Sequence, residues 1–415
     1  MQANGRKKPR IVVAGAGIAG SLVLSGLRER ADCELIGLER VEAHEHGEAG
    51  TGLNIGPNAI KALRAFLPRE AEAIVSNSLP WARWDVYLTS GEQLMDLSLD
   101  EVADNPGVRI RWAELYALLR APLGDALVYG AELTGCGEET NGAFVDWRDR
   151  HSGEEHRIDG IDLLIAGDGR YSRIRQHLLG GPETPRFLNV CLYRVLFPAG
   201  SDCPIEDYGQ WFNGPSRLLA YRVPGDFVYC AGSFPIPPDS ADVPRAMKQP
   251  EALRQAYWPA GHAPSREARY LIEAIARYAD RIHWARLQEG SVTYSDCAGV
   301  LLIGDAAHPM VPTLGQGATQ ACEDACVTVE EIAAALDAGD PLATVTARVA
   351  ERRAERARFV MQLSRNATDT MLAGADPVTG TRWKTEPAFK AHLRRLYGDP
   401  PMPRTVLRQP ERTFA

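Results

Sequence analysis

The sequence predicts an α/β fold built on a parallel β-sheet whose strands end in glycine-containing turns. Residues 11–14 form a short apolar run that leads directly into the glycine-rich turn Gly15-Ala-Gly-Ile-Ala-Gly20. Two further apolar runs, residues 161–165 and 300–303, end at Gly167-Asp168 and at Gly304-Asp305. Short apolar runs bounded by such turns are typical of buried parallel strands. Because the carboxyl ends of parallel strands share one edge of a sheet, we expect the turns to converge.

Composition and charge limit the classes of partner. The chain has 415 residues, of which 45% are apolar and 24% charged, and its formal net charge is −8. The negative charge argues against nucleic acid or an anionic membrane as the main partner. No run of 18 apolar residues is present, so the sequence predicts no membrane-spanning helix. The eight cysteines lack zinc-ligand spacing, and we therefore expect reduced thiols, no metal site and a cytoplasmic location.

The first turn has the spacing of a dinucleotide-binding fingerprint. Gly15 permits the tight turn, Gly17 lets the backbone approach a pyrophosphate, and Gly20 lets the following helix pack on the strand. The next predicted strand ends at Glu39, whose carboxylate is placed to accept hydrogen bonds from a ribose. This segment alone leaves NAD open as the bound nucleotide. The predicted nucleotide site also includes two flanking residues, Ala19 and Arg40.

A carboxylate and a helix N-terminus come together after the last of these strands. Asp305 follows the strand, a loop with two prolines comes next, and Gly315 then opens a helix. The carboxylate can accept hydrogen bonds from a polyol, and the helix N-terminus offers N–H groups and a partial positive charge to an anion. A flavin has both partners, a ribityl chain and a ring that becomes anionic when it is reduced. The predicted contacts in this segment are Asp305, Pro312, Gly315, Gly317 and Ala318.

Three motifs along the chain resemble those of the FAD-dependent aromatic hydroxylases and occur in the same order. This family comprises single-component flavoprotein monooxygenases and includes the 4-hydroxybenzoate, salicylate and hydroxypyridine-carboxylate enzymes. The three motifs are the Gly15–Gly20 turn, the segment Ile165-Ala-Gly-Asp-Gly-Arg-Tyr-Ser-Arg-Ile-Arg175 and the Gly304-Asp305 segment. The resemblance implies a Rossmann-like FAD-binding domain of the GR2 type. It places Asp168 near the FAD pyrophosphate and in NAD(P)H binding, and Asp305 on the ribityl hydroxyls. FAD is the implied bound cofactor, with NADH or NADPH as a transient electron donor.

Two positions depart from the family pattern. The family often has an Arg near the FAD at the start of a helix, where this chain has Trp112. The resemblance leaves open whether Arg109 or Arg111 replaces it, and we include Arg111 in the predicted cofactor site. Asn54 occupies a position that is His, a candidate base, in some hydroxypyridine-acid relatives. Because an amide does not take up a proton, any base lies elsewhere or the substrate arrives ionised.

The predicted domains are interleaved along the chain. The FAD-binding domain comprises residues 10–75, 98–180 and 290–340. An inserted substrate-binding domain with an antiparallel β-sheet comprises residues 76–97 and 181–289. Residues 341–415 form a C-terminal helical segment and tail.

Alternating patterns predict the elements of the inserted sheet. Residues 189–197, 217–223 and 227–234 are expected strands, with Pro224-Gly225 as a turn, and residues 81–88 are expected to add another strand. Residues 342–366 contain neither Gly nor Pro and predict a long helix. We expect its charged residues to form a solvated face, namely Glu351, Arg352, Glu355, Arg356 and Arg358.

The resemblance also implies a reaction. NAD(P)H reduces FAD, O₂ adds to the flavin, and the resulting C4a-hydroperoxide hydroxylates a small phenolic or hydroxypyridine-type ring, carboxylated or not. Loss of a ring substituent at the attacked carbon is left open. His308, Tyr221 and Arg217 are the candidate catalytic or substrate-orienting residues. A structural hydrogen bond explains His308 equally well, and packing in the sheet explains Tyr221 and Arg217.

Two alternative functions stay open from the sequence. The motifs identify the cofactor and not the substrate, so an epoxidase or a Baeyer–Villiger oxygenase fits them too. A flavin-binding redox protein without turnover is the second alternative. The expected partners are a small aromatic substrate, O₂ and NAD(P)H, and the chain is expected to be a monomer or a homodimer.

Overall fold

The structure is a computed structural model that describes residues 8–43, 45, 51–238, 240–294 and 297–404. The end of the predicted C-terminal tail, residues 405–415, lies outside these ranges. Among the described helices, none combines the length and the apolar character that a membrane crossing requires.

A five-stranded parallel sheet forms the base of the nucleotide-binding part. In spatial order its strands are β18 (Val300–Leu302), β12 (Leu163–Ala166), β1 (Arg10–Ala14), β2 (Glu34–Leu38) and β8 (Leu127–Val128). The central strands are buried, as expected for a parallel sheet covered by helices. The predicted strand at residues 161–165 begins two residues later, because Ile161 ends the preceding antiparallel strand.

Helices cover this sheet and carry its turns. Pro57 and Pro68 open two of them, since proline has the φ of a first helical residue and lacks the N–H that would be unpaired there. The last helix of the set is long and largely buried, and it packs against the first. The helices are α1 (Ile18–Leu27), α2 (Pro57–Phe66), α3 (Pro68–Ser76), α4 (Trp112–Arg120), α5 (Arg173–Leu178) and α8 (Gln316–Ala338).

Two small antiparallel sheets flank the parallel one. The first has the order β3 (Gly52–Ile55), β7 (Gly107–Arg111) and β4 (Leu79–Trp81). The second is a meander of β9 (Ala131–Glu139), β10 (Gly142–Asp149) and β11 (Glu155–Ile161).

A seven-stranded sheet forms the far side of the molecule. Its spatial order is β17 (His283–Glu289), β13 (Arg186–Pro198), β16 (Phe227–Pro235), β15 (Ser216–Val223), β14 (Tyr208–Asn213), β5 (Arg83–Leu88) and β6 (Gln93–Ser98). Only β14 and β5 pair in parallel among these described strands. One face packs on α6 (Pro250–Tyr257) and α7 (Arg266–Arg277). The other face is turned toward the parallel sheet and the C-terminal helices.

The predicted strand at residues 81–88 is two strands in two sheets. β4 ends at Trp81 and pairs with β7, whereas β5 begins at Arg83 and pairs with β14 and β6. The Asp207 carboxylate accepts the N–H groups of Ala82 (3.0 Å) and Arg83 (3.1 Å) and holds the chain where it changes sheet. The expectation that residues 81–88 form a single strand was therefore wrong, because an alternating pattern does not show where the chain changes its partner strand.

The C-terminal part is helical. It comprises α9 (Thr344–Asn366), α10 (Pro377–Arg382) and α11 (Pro387–Gly398). The expected solvated face of α9 is only partly correct. Glu351, Glu355 and Arg358 are exposed, but Arg352 is half-buried and pairs with Glu330 and Glu331 of α8, while Arg356 pairs with the fully buried Glu323.

Candidate active site

The turn after β1 places the backbone against the second glycine motif. Gly15 has a φ of +90°, and a Cβ there would lie 2.6 Å from the carbonyl oxygen of Gly167. A Cβ on Gly20 would lie 2.0 Å from the carbonyl oxygen of Gly15. These two glycines shape the turn. A Cβ on Gly17, by contrast, would meet only Gly167 oxygen, at 3.8 Å, so Gly17 is free to approach a ligand.

Glu39 fixes this turn through its side chain. The carboxylate accepts hydrogen bonds from the N–H groups of Ala16 (2.8 Å) and Val41 (3.0 Å) and from Arg120 Nη2 (3.0 Å). Arg120, the last residue of α4, also donates from Nε to the Ala16 carbonyl at 2.7 Å. Arg120 is not among the residues predicted from the sequence, because its partners lie far earlier in the chain and no local pattern marks it. Arg40 is exposed beside Glu39.

Asp305 and the start of α8 face the same space. The Asp305 side chain is 38% exposed, and its Oδ2 lies 3.7 Å from Arg170 Nη2. Gly315, with a φ of +64°, directly precedes α8. A Cβ on Gly317, in the first turn of α8, would lie 3.6 Å from Asp305 Oδ1. The carboxylate and the helix N-terminus are therefore adjacent, as the glycine spacing predicts.

A cavity of about 560 Å³ joins the glycine turns to the seven-stranded sheet. Its size lies within the range of cavities that hold cofactors and small ligands. It runs from Gly17 past Asp305 and the start of α8 to the tyrosines of the sheet. The predicted site residues on its wall are Gly17, Ala19, Arg217, Tyr221, Asp305, Pro312, Gly315, Gly317 and Ala318.

Strand β15 supplies the far wall of the cavity. Alternate residues of a strand point to one face, and here Arg217, Leu219 and Tyr221 line the cavity. The Tyr221 ring lies 5.7 Å from that of Tyr208 and 4.8 Å from that of Tyr229, measured between ring centroids. Burial raises the pKa of Tyr221 well above its usual value, so its hydroxyl stays protonated and can donate a hydrogen bond.

Arg217 is a buried cation that pairs with no carboxylate among the residues that the structure describes. Its residue is 3% exposed, and its Nε has no hydrogen-bond acceptor in the described part of the chain. Tyr208, Tyr229 and Tyr257 are its titratable tyrosine neighbours, and none of them is a carboxylate. A guanidinium removed from water without a partner is costly. An anionic group in the cavity would satisfy it.

Asp168 and Arg111 have protein partners and do not line the cavity. Asp168 Oδ2 accepts the N–H of Arg173 at 2.9 Å, at the start of α5, and burial raises the pKa of this carboxyl. Arg111 donates to Glu114 and lies 5.0 Å from the centroid of the Phe227 ring.

The family's arginine position is also filled differently here. Arg109 is buried and donates to the backbone carbonyls of Pro80 (2.9 Å) and Glu206. Trp112 and Tyr116, from α4, occupy the cavity wall instead.

His308 is fully buried and does not line the cavity. Its Nε2 lies 2.7 Å from Asp324 Oδ2. Tyr294 donates to the other Asp324 oxygen at 2.8 Å. The sequence left open a catalytic role or a structural hydrogen bond for His308. The contacts of its ring are those of a structural hydrogen bond, and the residue does not line the cavity.

The groups on the cavity wall fit FAD. The Asp305 carboxylate has lone pairs available for ribityl hydroxyls, and the first-turn N–H groups of α8 suit an anionic ring. Asn54 Nδ2 is buried next to Gly315 and has no acceptor among the described residues, so a ligand carbonyl or ring nitrogen would satisfy it. Gly17 leaves room for a pyrophosphate.

Gly17→Ala is expected to weaken FAD binding about tenfold or more without lowering the melting temperature of the apoprotein. The added methyl meets no atom of the described residues closer than 3.8 Å. It would occupy the space where we expect the pyrophosphate to approach the backbone. FAD titration of apoprotein, followed by fluorescence quenching, measures the affinity. Gly20→Ala is the contrasting variant, because its Cβ clashes with Gly15 and should destabilise the apoprotein. Unchanged FAD affinity in Gly17→Ala would contradict the assignment.

Comparison with known proteins agrees with this geometry. A family model described as an FAD binding domain matches residues 275–367. Salicylate hydroxylase of Pseudomonas putida is 30% identical over 401 residues, which cover 89% of this chain and 88% of the relative. A 3-amino-4-hydroxybenzoate 2-monooxygenase of Streptomyces platensis is 30% identical over 86% of this chain and 87% of its own. The 6-hydroxynicotinate 3-monooxygenase of Bordetella bronchiseptica is 27% identical over 77% and 82%.

A solved structure shares the whole fold. Klebsiella pneumoniae HpxO, complexed with FAD and uric acid, superimposes with a TM-score of 0.74 over 96% of this chain and 95% of that chain, at 21% identity. The α/β fold with its parallel and antiparallel sheets and C-terminal helices is therefore confirmed. Two relatives at 30% identity cover most of both chains. The chain belongs to the FAD-dependent aromatic hydroxylases and is a flavoprotein monooxygenase with FAD as its cofactor.

Proposed function

We propose that this enzyme hydroxylates a small phenolic or hydroxypyridine-type aromatic acid, with O₂ and with NADH or NADPH as the electron donor. The observation that carries the proposal is the buried Arg217, which lines the cavity that fits FAD and pairs with no carboxylate in the described part of the chain. The relatives support it, because salicylate, 3-amino-4-hydroxybenzoate and 6-hydroxynicotinate are all small aromatic acids. When bound, FAD supplies the redox chemistry, accepting a hydride from the nicotinamide and activating O₂.

The chain's own residues bind and orient the substrate. The Arg217 guanidinium offers charge-assisted hydrogen bonds to the substrate's ionised group. The Tyr221 hydroxyl, kept protonated by burial, lies on the cavity wall and can donate a hydrogen bond to a phenolic or pyridone oxygen. Leu192, Leu219 and Met310 also line the cavity, and their apolar side chains would exclude water from the ring.

The start of α8 stabilises negative charge on the reduced cofactor. Its free N–H groups and its dipole lie beside Asp305, where the cofactor ring is expected. His308 has no part in this proposal, because it is buried away from the cavity.

Turnover tests the proposal directly. FAD-loaded enzyme is offered salicylate, 4-hydroxybenzoate, 3-amino-4-hydroxybenzoate and 6-hydroxynicotinate with NADH or NADPH. At least one acid is expected to accelerate nicotinamide oxidation and O₂ uptake. A product heavier by one oxygen identifies hydroxylation, and oxygen in place of a carboxylate identifies hydroxylation with decarboxylation. The product structure then excludes epoxidation or ring insertion. No stimulation by any aromatic acid would refute the proposal.

Arg217→Met is expected to raise the dissociation constant of the aromatic acid about 10- to 100-fold, with FAD content unchanged. The variant keeps the apolar stem and removes a charged hydrogen-bond donor. Difference spectra of the bound flavin measure the binding. Arg222→Met is the matched control, because Arg222 lies on the same strand but pairs with Asp226 at the surface. Wild-type affinity in Arg217→Met would remove Arg217 from the site.

A further inference from the structure

A second, much smaller pocket shares Arg217 with the main cavity as a lining residue. Its volume is about 10 Å³. The wall also includes Trp84 from β5, Gln210 from β14, and Thr370, Thr381 and Lys384 from the C-terminal segment, residues 367–398. Residues from three distant parts of the chain therefore enclose one polar space next to the predicted substrate.

Two buried N–H donors on this wall have no acceptor. They are Arg217 Nε and Trp84 Nε1, neither of which finds a hydrogen-bond partner among the described residues. The two residues are 3% and 5% exposed. Because nearly all buried polar groups in folded proteins are hydrogen-bonded, two unpaired donors on one small pocket indicate an acceptor supplied from outside the chain.

The pocket also carries excess positive charge. Lys384 is 5% exposed, and its Nζ donates to Asp369 Oδ1 at 2.8 Å, to the Ala367 carbonyl at 3.1 Å and to Thr370 Oγ1 at 3.2 Å. Asp369 therefore balances Lys384. Arg217 pairs with no carboxylate in the part of the chain that the structure describes. One negative charge would neutralise the group, so the missing acceptor is expected to be anionic.

The size of the pocket limits the occupant. A volume of about 10 Å³ holds roughly one water-sized atom. An aromatic ring does not fit in this volume, but a single carboxylate oxygen does. A free halide ion has the same charge and a similar size, and the experiment below separates the two.

We propose that this pocket is the subsite for the substrate's carboxylate, and that Trp84 and Lys384 set the preference for aromatic acids over neutral phenols. The inference rests on the proposed function and deepens it. The ring lies in the main cavity, its carboxylate meets Arg217, and one oxygen enters the pocket that the C-terminal segment completes. Lys384 and Trp84 thereby become specificity-determining residues supplied from outside the strand that carries Arg217 and Tyr221.

The test compares acids with their carboxylate-free analogues. Dissociation constants of salicylate and phenol, and of 6-hydroxynicotinate and 2-hydroxypyridine, are measured on FAD-loaded enzyme from flavin difference spectra. Lys384→Met and Trp84→Phe are each expected to weaken binding of the acids about tenfold and to leave the neutral analogues within about twofold. Lys390→Met is the control, since Lys390 lies in the same segment but pairs with Glu101 at the surface.

The outcomes separate this inference from the proposed function. If neutral phenols bind but neither variant affects the acids selectively, the subsite is wrong and the proposed function stands. If no aromatic, acidic or neutral, binds the wild-type holoenzyme, both are refuted. Chloride that perturbs the wild-type flavin spectrum but not that of Lys384→Met, with affinity for the acids unchanged, would assign the pocket to a free halide and overturn the proposal. Melting temperatures of both variants verify that the fold is retained.

Discussion

Asp305→Ala is expected to weaken FAD binding about 100-fold or more while leaving the stability of the apoprotein unchanged. The side chain lines the cavity, and its nearest charged partner is Arg170 at 3.7 Å, so its removal leaves no buried group unpaired. Each hydrogen bond from a hydroxyl to a charged carboxylate contributes about 1.5–3 kcal/mol, and the ribityl chain offers more than one. The dissociation constant of FAD and the urea midpoint of the apoprotein measure the two effects.

Asp337→Ala is the control for this prediction. Asp337 lies near the end of α8 and pairs with Arg30 at the surface, so its removal should change neither quantity appreciably. If Asp305→Ala binds FAD with wild-type affinity, the carboxylate does not hold the ribityl chain. If the apoprotein is instead destabilised, Asp305 has a structural role that its contacts do not reveal.

Local signals were sufficient to predict the nucleotide side of the molecule. A short apolar strand, a glycine turn and a following helix are each encoded within a few residues, and the Gly15–Gly20 and Gly304–Asp305 segments have that form. Because parallel strands bring their carboxyl ends to one edge, the convergence of these turns follows from topology. In the structure, Gly317 accordingly lies beside Asp305.

The rest of the site depends on contacts between distant segments. The strand position made Arg217 a candidate. The sequence could not show that no carboxylate of the described residues pairs with it, because that depends on all the elements packed around it. Trp84 and Lys384 have no local pattern that marks them, and the C-terminal segment carries no recognised motif. Arg120 was missed for the same reason, since its partner Glu39 follows strand β2, far from α4 in the chain.

The charged residues of α9 are a second case in which the sequence pattern does not reveal contacts with a distant segment. Arg353 and Arg356 belong to a run that reads as a surface helix, yet Arg353 is completely buried. Its Nη1 donates to Glu323 at 2.6 Å and its Nε to Asp324 at 2.8 Å. A helix pattern records polarity but does not show that the facing helix supplies matching carboxylates.

Asp324 is the central acceptor of this buried network. Its Oδ2 accepts the Gly304 N–H at 2.8 Å and lies 2.7 Å from His308 Nε2, and its Oδ1 accepts from Tyr294 and Arg353, each at 2.8 Å. Burial alone would raise its pKa, but the neighbouring His308 and Arg353 hold the pKa well below its usual range. A depressed carboxyl pKa stabilises the fold above the unfolded pKa of about 4, and the contribution is lost only as the pH falls further.

Asp324→Asn is therefore expected to lower the free energy of unfolding by about 3–5 kcal/mol at neutral pH, because the amide leaves the buried Arg353 incompletely neutralised. Urea unfolding of wild type and variant measures the difference. The difference should shrink as the pH falls below about 4, where the Asp324 carboxyl of the unfolded wild-type chain becomes protonated while that of the folded chain stays ionised. Asp340→Asn, which breaks a surface pair with Arg348, is expected to stay close to wild type. Equal unfolding midpoints for Asp324→Asn and Asp340→Asn would show that the cluster around Asp324 does not stabilise the turn that carries Asp305.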